Sequence, residues 1–149
     1  MGKIIIGRRE KISFPSFGPD LIWAKIDTGA YTSTLHAEDV RVEMENDKEV
    51  LKFVPFKSSD KTYTGKTQKA ENFRKKIVKN SFGDDEERFL ITIRVMIAGE
   101  VFDTEFTLSN RSKMRNSILL GRQTIRGKYL IDVERVNLSK SYRKNQAIR

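Results

Sequence analysis

At 149 residues and 17.3 kDa the chain is long enough for one domain that buries roughly two-thirds of its unfolded surface. A hydrophobic content of 38% beside 33% charged residues fits a globular class, and no apolar run approaches the ~18 residues of a spanning helix. The absence of cysteine excludes disulfides, thiolate nucleophiles and cysteine zinc sites and agrees with a reducing compartment. Ile4-Ile5-Ile6 is too short for a secretory leader, so a cytoplasmic location without a membrane partner is the expectation.

The net charge of +9 and pI of about 9.8 are unevenly distributed. Residues 57–80 carry eight Lys or Arg against two acids, and the tail after Glu134 adds five with no acid. Such a field attracts polyanions, whether nucleic acid or acidic peptide, and equally fits a solvated basic face.

In chain order, strands are predicted at 3–7, 21–27, 33–36, 40–44, 49–55, 88–98 and 101–108, short and separated by turn residues as in an all-β barrel or sandwich. Along the strand at 88–98, Phe89, Ile91, Ile93, Val95 and Ile97 share one face at period two. Ala98-Gly99-Glu100 then reads as a tight turn, which makes 88–108 an antiparallel hairpin. Between these strands, residues 57–87 are rich in Lys, Ser, Thr and Asp and read as a long loop or a mobile hairpin, a length usually functional or disordered in compact domains. A short helix is predicted over 122–125, stopped by Gly127. Residues 1–137 form the domain, and the basic tail at 138–149 lacks apolar periodicity and reads as frayed.

The residues with chemical potential begin at the end of the second strand. Leu21-Ile22-Trp23-Ala24-Lys25-Ile26 is apolar apart from Lys25 and runs into Asp27-Thr28-Gly29-Ala30, so the carboxylate is held on a rigid element. Thr28 can donate a hydroxyl hydrogen bond, and Gly29, without a Cβ, lets a substrate backbone approach. Taken alone, the triplet also fits an Asx turn after a strand. Downstream, Ser117-Ile118-Leu119-Leu120-Gly121-Arg122 is an apolar strand that ends in Gly before the short helix.

Together these two segments resemble the retropepsin-like aspartic proteases, in which an apolar pair and Gly pass behind the catalytic loop before a helix carrying Arg. The resemblance implies an all-β closed barrel with one short C-terminal helix. It makes Asp27 the catalytic carboxylate, with Thr28 and Gly29 in its loop. Because that chemistry uses two carboxylates sharing a proton and a water, one candidate Asp per chain implies a homodimer.

The pattern is most similar to the branch labelled RimK-related ATP-dependent zinc proteases. The matching blocks are Gly7-Arg8-Arg9-Glu10, Ala24 through Ala30 with Thr32-Ser33 and Leu35-His36-Ala37, Glu87-Arg88-Phe89, Thr107-Leu108-Ser109-Asn110-Arg111 with Met114, Leu119-Leu120-Gly121-Arg122, and Tyr129-Leu130-Ile131-Asp132. The ATP and zinc of that label find no support in the residues. Gly65-Lys66-Thr67 lacks the upstream glycine of a phosphate loop. Catalytic zinc takes about three protein ligands, whereas the chain has one histidine, His36, near Glu38 and Asp39. No cofactor and no metal ligand are therefore assigned.

Two departures from the retroviral pattern bear on substrate capture. The position after Asp-Thr-Gly-Ala is Tyr31 instead of an acid, so Arg122 needs another partner, either Asp132 or a substrate carboxylate. A Gly-rich flap is not evident in 57–87. The leading expectation is a homodimeric aspartic peptidase acting on acidic, glutamate-rich or glutamylated peptides, as association with a glutamate ligase implies. Ala30, Arg111, Lys113, Arg115 and Arg122 are the candidate substrate contacts. The alternatives are a non-catalytic basic β-barrel module for RNA or ribosomal partners, and an inactive monomeric relative.

Overall fold

Alternation of apolar and polar side chains in a few long strands sets the architecture, seen here in a computed structural model that describes residues 2–80 and 82–147. In chain order the strands are β1 Ile4–Gly7, β2 Arg9–Ile12, β3 Ile22–Ile26, β4 Ser33–Glu45, β5 Lys48–Pro55, β6 Gln68–Ala70, β7 Arg74–Lys79, β8 Asp85–Ile97, β9 Glu100–Ser109 and β10 Ile118–Leu120. They are followed by helix α1 Arg122–Ile125, strand β11 Tyr129–Asp132 and helix α2 Lys140–Ala147.

The main sheet has nine strands in the order β2-β3-β10-β4-β9-β8-β7, with β5 added on β4 and β6 on β5. Among the described residues no sheet closes into the expected barrel, since no ladder joins β2 to the far side. The approach is made instead by an isolated antiparallel bridge between Ser13 and Met96, whose N–H groups donate to each other's carbonyls at 3.2 and 2.9 Å. A second sheet pairs β1 with β11 in parallel, Ile4 opposite Tyr129 through Gly7 opposite Asp132.

The β8–β9 hairpin forms as its alternation predicts. Ile91, Ile93, Val95 and Ile97 are buried while Thr92 and Arg94 face water. Ala98 and Gly99 both take positive φ, 51° and 78°, the twist that a two-residue hairpin turn needs. The strands expected at 33–36 and 40–44 are one continuous β4, interrupted by a register shift between Glu38 and Arg41 in its pairing with β5. The core behind the sheet is centred on Phe14, whose ring lies 5.5 Å from Phe106 and 5.7 Å from Phe56, a spacing that favours tilted aromatic contacts.

Of the two readings of 57–87, long loop or hairpin, the hairpin holds for its C-terminal part: β7 pairs with β8 from Arg74 opposite Leu90 to Lys79 opposite Asp85. Asn80 and Phe82 to Asp84 lie between the two strands. A further expectation changes: the tail at 138–149 is not frayed where it is described. Glu10, fully buried on β2, accepts the N–H groups of Leu138 and Ser139 at 2.9 Å each, besides that of Gly7 at 2.6 Å. This anchor leads into α2, a second helix that low apolar periodicity concealed; residues 148 and 149 lie outside the described residues.

Candidate active site

The loop carrying Asp27 is stitched to the segment behind it by main-chain bonds. Strand β3 runs parallel to β10, and the Asp27 N–H donates to the Leu120 carbonyl at 2.9 Å. The Ala30 N–H returns to the Asp27 carbonyl at 3.2 Å, closing the turn. From the other side, the Arg122 and Gln123 N–H groups donate to the Ala30 and Tyr31 carbonyls, both at 2.9 Å. The crossing is so close that a Cβ on Gly121 would sit 2.6 Å from the Tyr31 carbonyl oxygen; only glycine fits there.

Hydroxyls lock the layer beneath. Ser33 Oγ accepts the Gly121 N–H at 3.0 Å and lies 2.6 Å from Thr124 Oγ1, which in turn meets Thr104 Oγ1 at 2.8 Å. All three hydroxyl residues are buried, so each bond is made away from competing water. Asp27 itself is half-buried, with Thr28 and Gly29 exposed. The carboxylate is thus presented at the surface from a rigid base.

Arg122 resolves one question raised by the sequence. Its guanidinium donates to the Thr28 carbonyl at 2.8 Å and lies 5.8 Å from the Tyr31 ring centre. Within the chain its partner is therefore the Asp27-Thr28-Gly29 loop and not Asp132, which pairs with Arg135. Lys76 of β7 approaches Tyr31 as well, 5.6 Å from the ring centre, and donates to Thr32 Oγ1 at 2.7 Å. Beside them lies a recess of about 400 Å³ lined by Thr28, Tyr31, Arg122, Ile125 and Arg126.

A groove of about 340 Å³ opens between the β7–β8 tip, through Asn80 and Phe82, and the segment Ser109 to Met114. It brings together Arg111 and Lys113, two of the expected substrate residues, with Glu86 and Arg88 of β8. Arg111 is only 8% exposed. Burial and the neighbouring Arg88 charge pull its pKa below the ordinary value, opposed by the Asp27 carboxylate. Asp27 is thus within electrostatic reach of this groove. Arg115 is not in this group; it lines a separate groove of about 320 Å³ with Arg9, Lys11, Trp23 and Lys61.

His36 acts from behind. It is fully buried, and its Nδ1 accepts the Arg111 main-chain N–H at 2.7 Å. Accepting there requires a neutral ring with its proton on Nε2, which faces Glu38 Oε1 at 3.4 Å. Burial lowers the His36 pKa, against a weaker upward pull from Glu38. This geometry does not fit a zinc centre: Nδ1 is committed to a donor, and among the described residues no group of three or more His, Cys, Asp or Glu side chains comes together.

Arg88, Lys76 and Asn80 are not among the site residues expected from the sequence, where Tyr31 enters only as a departure from the retroviral pattern. Arg88 gave one available signal, a cation between Glu87 and Phe89 at the entry to a buried strand. The basic stretch at 57–80 also looks different in space. Lys69, Arg74, Lys75 and Lys79 pair with Glu45, Glu105, Glu87 and Asp85, while Lys57 donates to the Met114 carbonyl at 2.7 Å. Half of those eight cations are thus paired with acids on the next strand or the next but one.

Among solved structures, the chain is similar to a Legionella pneumophila protein of unknown function, at 22% identity and a TM-score of 0.72 over 93% of this chain and 99% of the other; this likeness concerns the fold. Among curated proteins it is 33% identical to a probable alpha-L-glutamate ligase of Desulfotalea psychrophila over 98% of its length, and 33% identical to one of Shewanella pealeana over 87%. It spans about a third of the length of those relatives, 33% and 28%. The family model for RimB-like proteins, described as retropepsin-like aspartic endopeptidase RimB, matches residues 5–141. The chain carrying this braced Asp27-Thr28-Gly29 loop belongs to the RimB-like family of retropepsin-like aspartic endopeptidases.

Proposed function

We propose that the protein is a homodimeric aspartic endopeptidase that cleaves glutamate-rich or glutamylated chains. The observation that carries this reading is the presentation of Asp27 at the surface, on a loop stitched to β10 and α1 through Leu120, Ala30 and Tyr31. In the dimer, two Asp27 carboxylates face each other across a twofold axis and share one proton, because like charges about 3 Å apart cannot both ionise. The unprotonated Asp27 takes a proton from a water as that water's oxygen bonds to the scissile carbonyl carbon. The protonated one donates its proton to the carbonyl oxygen. Collapse of the resulting diol breaks the C–N bond, with a proton passing to the leaving amine and no covalent enzyme intermediate.

The acidic substrate is supported by the +9 net charge, which favours encounter with polyanions. The name alpha-L-glutamate ligase of the longer relatives supports a link to glutamate chains. Local pairing of the basic strand β7 with acids makes the RNA-binding alternative the weaker one.

The test is hydrolysis of a glutamate-extended peptide by purified protein, followed by mass spectrometry, together with sedimentation at the same concentration. Asp27→Asn is expected to lower turnover roughly 10²- to 10⁴-fold, and activity should rise with the dimer fraction. Equal turnover by wild type and variant, or full activity in a strict monomer, would overturn the assignment.

A further inference from the structure

Two guanidiniums that share one groove, each largely withdrawn from water, need more negative charge than the described part of this chain gives them. Arg111 is 8% exposed, and the Arg88 side chain is 11% exposed. Among the described residues Arg88 reaches a single carboxylate, Glu86 Oε2 at 3.1 Å, itself 38% exposed. Its other contacts are long ones to hydroxyls, Thr34 Oγ1 at 3.4 Å and Thr107 Oγ1 at 3.5 Å, and its buried Nε finds no hydrogen-bond partner among the described residues. Arg111 donates through Nε to the Asn116 carbonyl at 2.8 Å, which carries no formal charge.

With Lys113, the lining of the groove of about 340 Å³ sets three cations against the one acid Glu86, while the Asp27 carboxylate, outside that lining, acts on Arg111. Burying like charges together is unfavourable unless a counter-charge completes them. The fold nevertheless fixes Arg111 in place from two sides, through its own N–H on His36 and its Nε on Asn116. Planar guanidinium forks held in this way match the two oxygens of a carboxylate.

We propose that Arg88 and Arg111 form a carboxylate-binding subsite, in which an acidic group of the bound peptide supplies the missing negative charge. The subsite rests on the peptidase reading of this site and extends it by naming its specificity residues. Phe82 at the hairpin tip, 85% exposed, lies over the same groove and supplies an apolar cover for the methylenes of a glutamate side chain. The carboxylate has two possible sources in a peptide, the side chain and the chain terminus, and the experiment separates them.

Full-length Asp27→Asn protein, labelled so that arginine Nε–Hε resonances are observed, is titrated with three tetrapeptides. These are doubly capped tetraglutamate, doubly capped tetraglutamine, and tetraglutamine with a free C-terminal carboxylate. The expected result is a saturable shift of the Arg88 and Arg111 signals with tetraglutamate and none with the capped tetraglutamine. A shift with the free-terminus peptide alone assigns the subsite to a terminal carboxylate. By calorimetry, Arg88→Gln is expected to bind tetraglutamate at least tenfold more weakly, its fold checked by the amide spectrum. Equal shifts with both capped peptides, or unchanged affinity in folded Arg88→Gln, would overturn the subsite while leaving hydrolysis by wild type to support the peptidase. Arg88-dependent tetraglutamate binding in a protein that cleaves no peptide would keep the subsite and overturn the peptidase.

Discussion

Protonation of His36 has consequences for both stability and the groove. Burial holds its pKa below the ordinary 6.5, so over the interval beneath that value the unfolded chain binds a proton that the folded chain refuses. Folding stability then rises with pH across the interval: the contribution is complete above about 6.5 and declines as the solution is acidified toward the folded value. A protonated ring also loses the Nδ1 lone pair that accepts the Arg111 N–H. The melting temperature is therefore expected to fall between pH 7 and pH 5. His36→Asn, which offers an acceptor oxygen near the Nδ1 position without titrating, should show a flatter profile by calorimetry across the same range. A variant profile as steep as that of wild type would locate the pH sensitivity elsewhere.

At the scale of elements, the β7–β8 hairpin depends on how its tip is held. Asn80 Oδ1 accepts the N–H groups of Phe82 and Asp84 at 3.0 and 3.2 Å, while the Asn80 main chain bonds with Gly83 and Asp84. Gly83 takes the positive φ of 81° that the turn demands. Removing the side-chain acceptor with Asn80→Ala costs about 1 kcal/mol, since each exposed bond contributes modestly. The larger expected effect is kinetic: a weaker KM for peptide with little change in kcat, because Asn80 and Phe82 line the groove and Asp27 does not. A drop in kcat at unchanged KM would contradict that role. The same hairpin shows where sequence reading stops. Strands β8 and β9 were legible because their alternation is apolar on one face, and α1 because Gly127 ends it. By contrast, β7 was hidden: its buried partners come from β8, and Arg74-Lys75-Lys76 resembles a solvated loop until the acids opposite are known. Asp27 was legible as a local triplet, whereas the Arg88 and Arg111 pairing depends on β4, β8 and β9 lying side by side, a non-local fact that one sequence does not encode visibly.

For the molecule as a whole, the parallel pairing of β1 with β11 and the Glu10 anchor on Leu138 and Ser139 join segments far apart in sequence. Glu10→Gln places an amide NH₂ among main-chain donors in a fully buried position, and a loss of about 2–3 kcal/mol is expected on chemical denaturation. An unchanged denaturation midpoint would mean that the anchor is dispensable. The pairing also determines how the domain answers to pulling. Because β1 and β11 run in the same direction, tension applied ahead of Ile4 and beyond Asp132 draws the two strands past each other lengthwise. All four paired positions from Ile4–Tyr129 to Gly7–Asp132 then bear the load together, whereas an antiparallel pair held at one end would open like a zipper. The geometry of this pair thus loads its bonds in shear along the line joining the first and last strands.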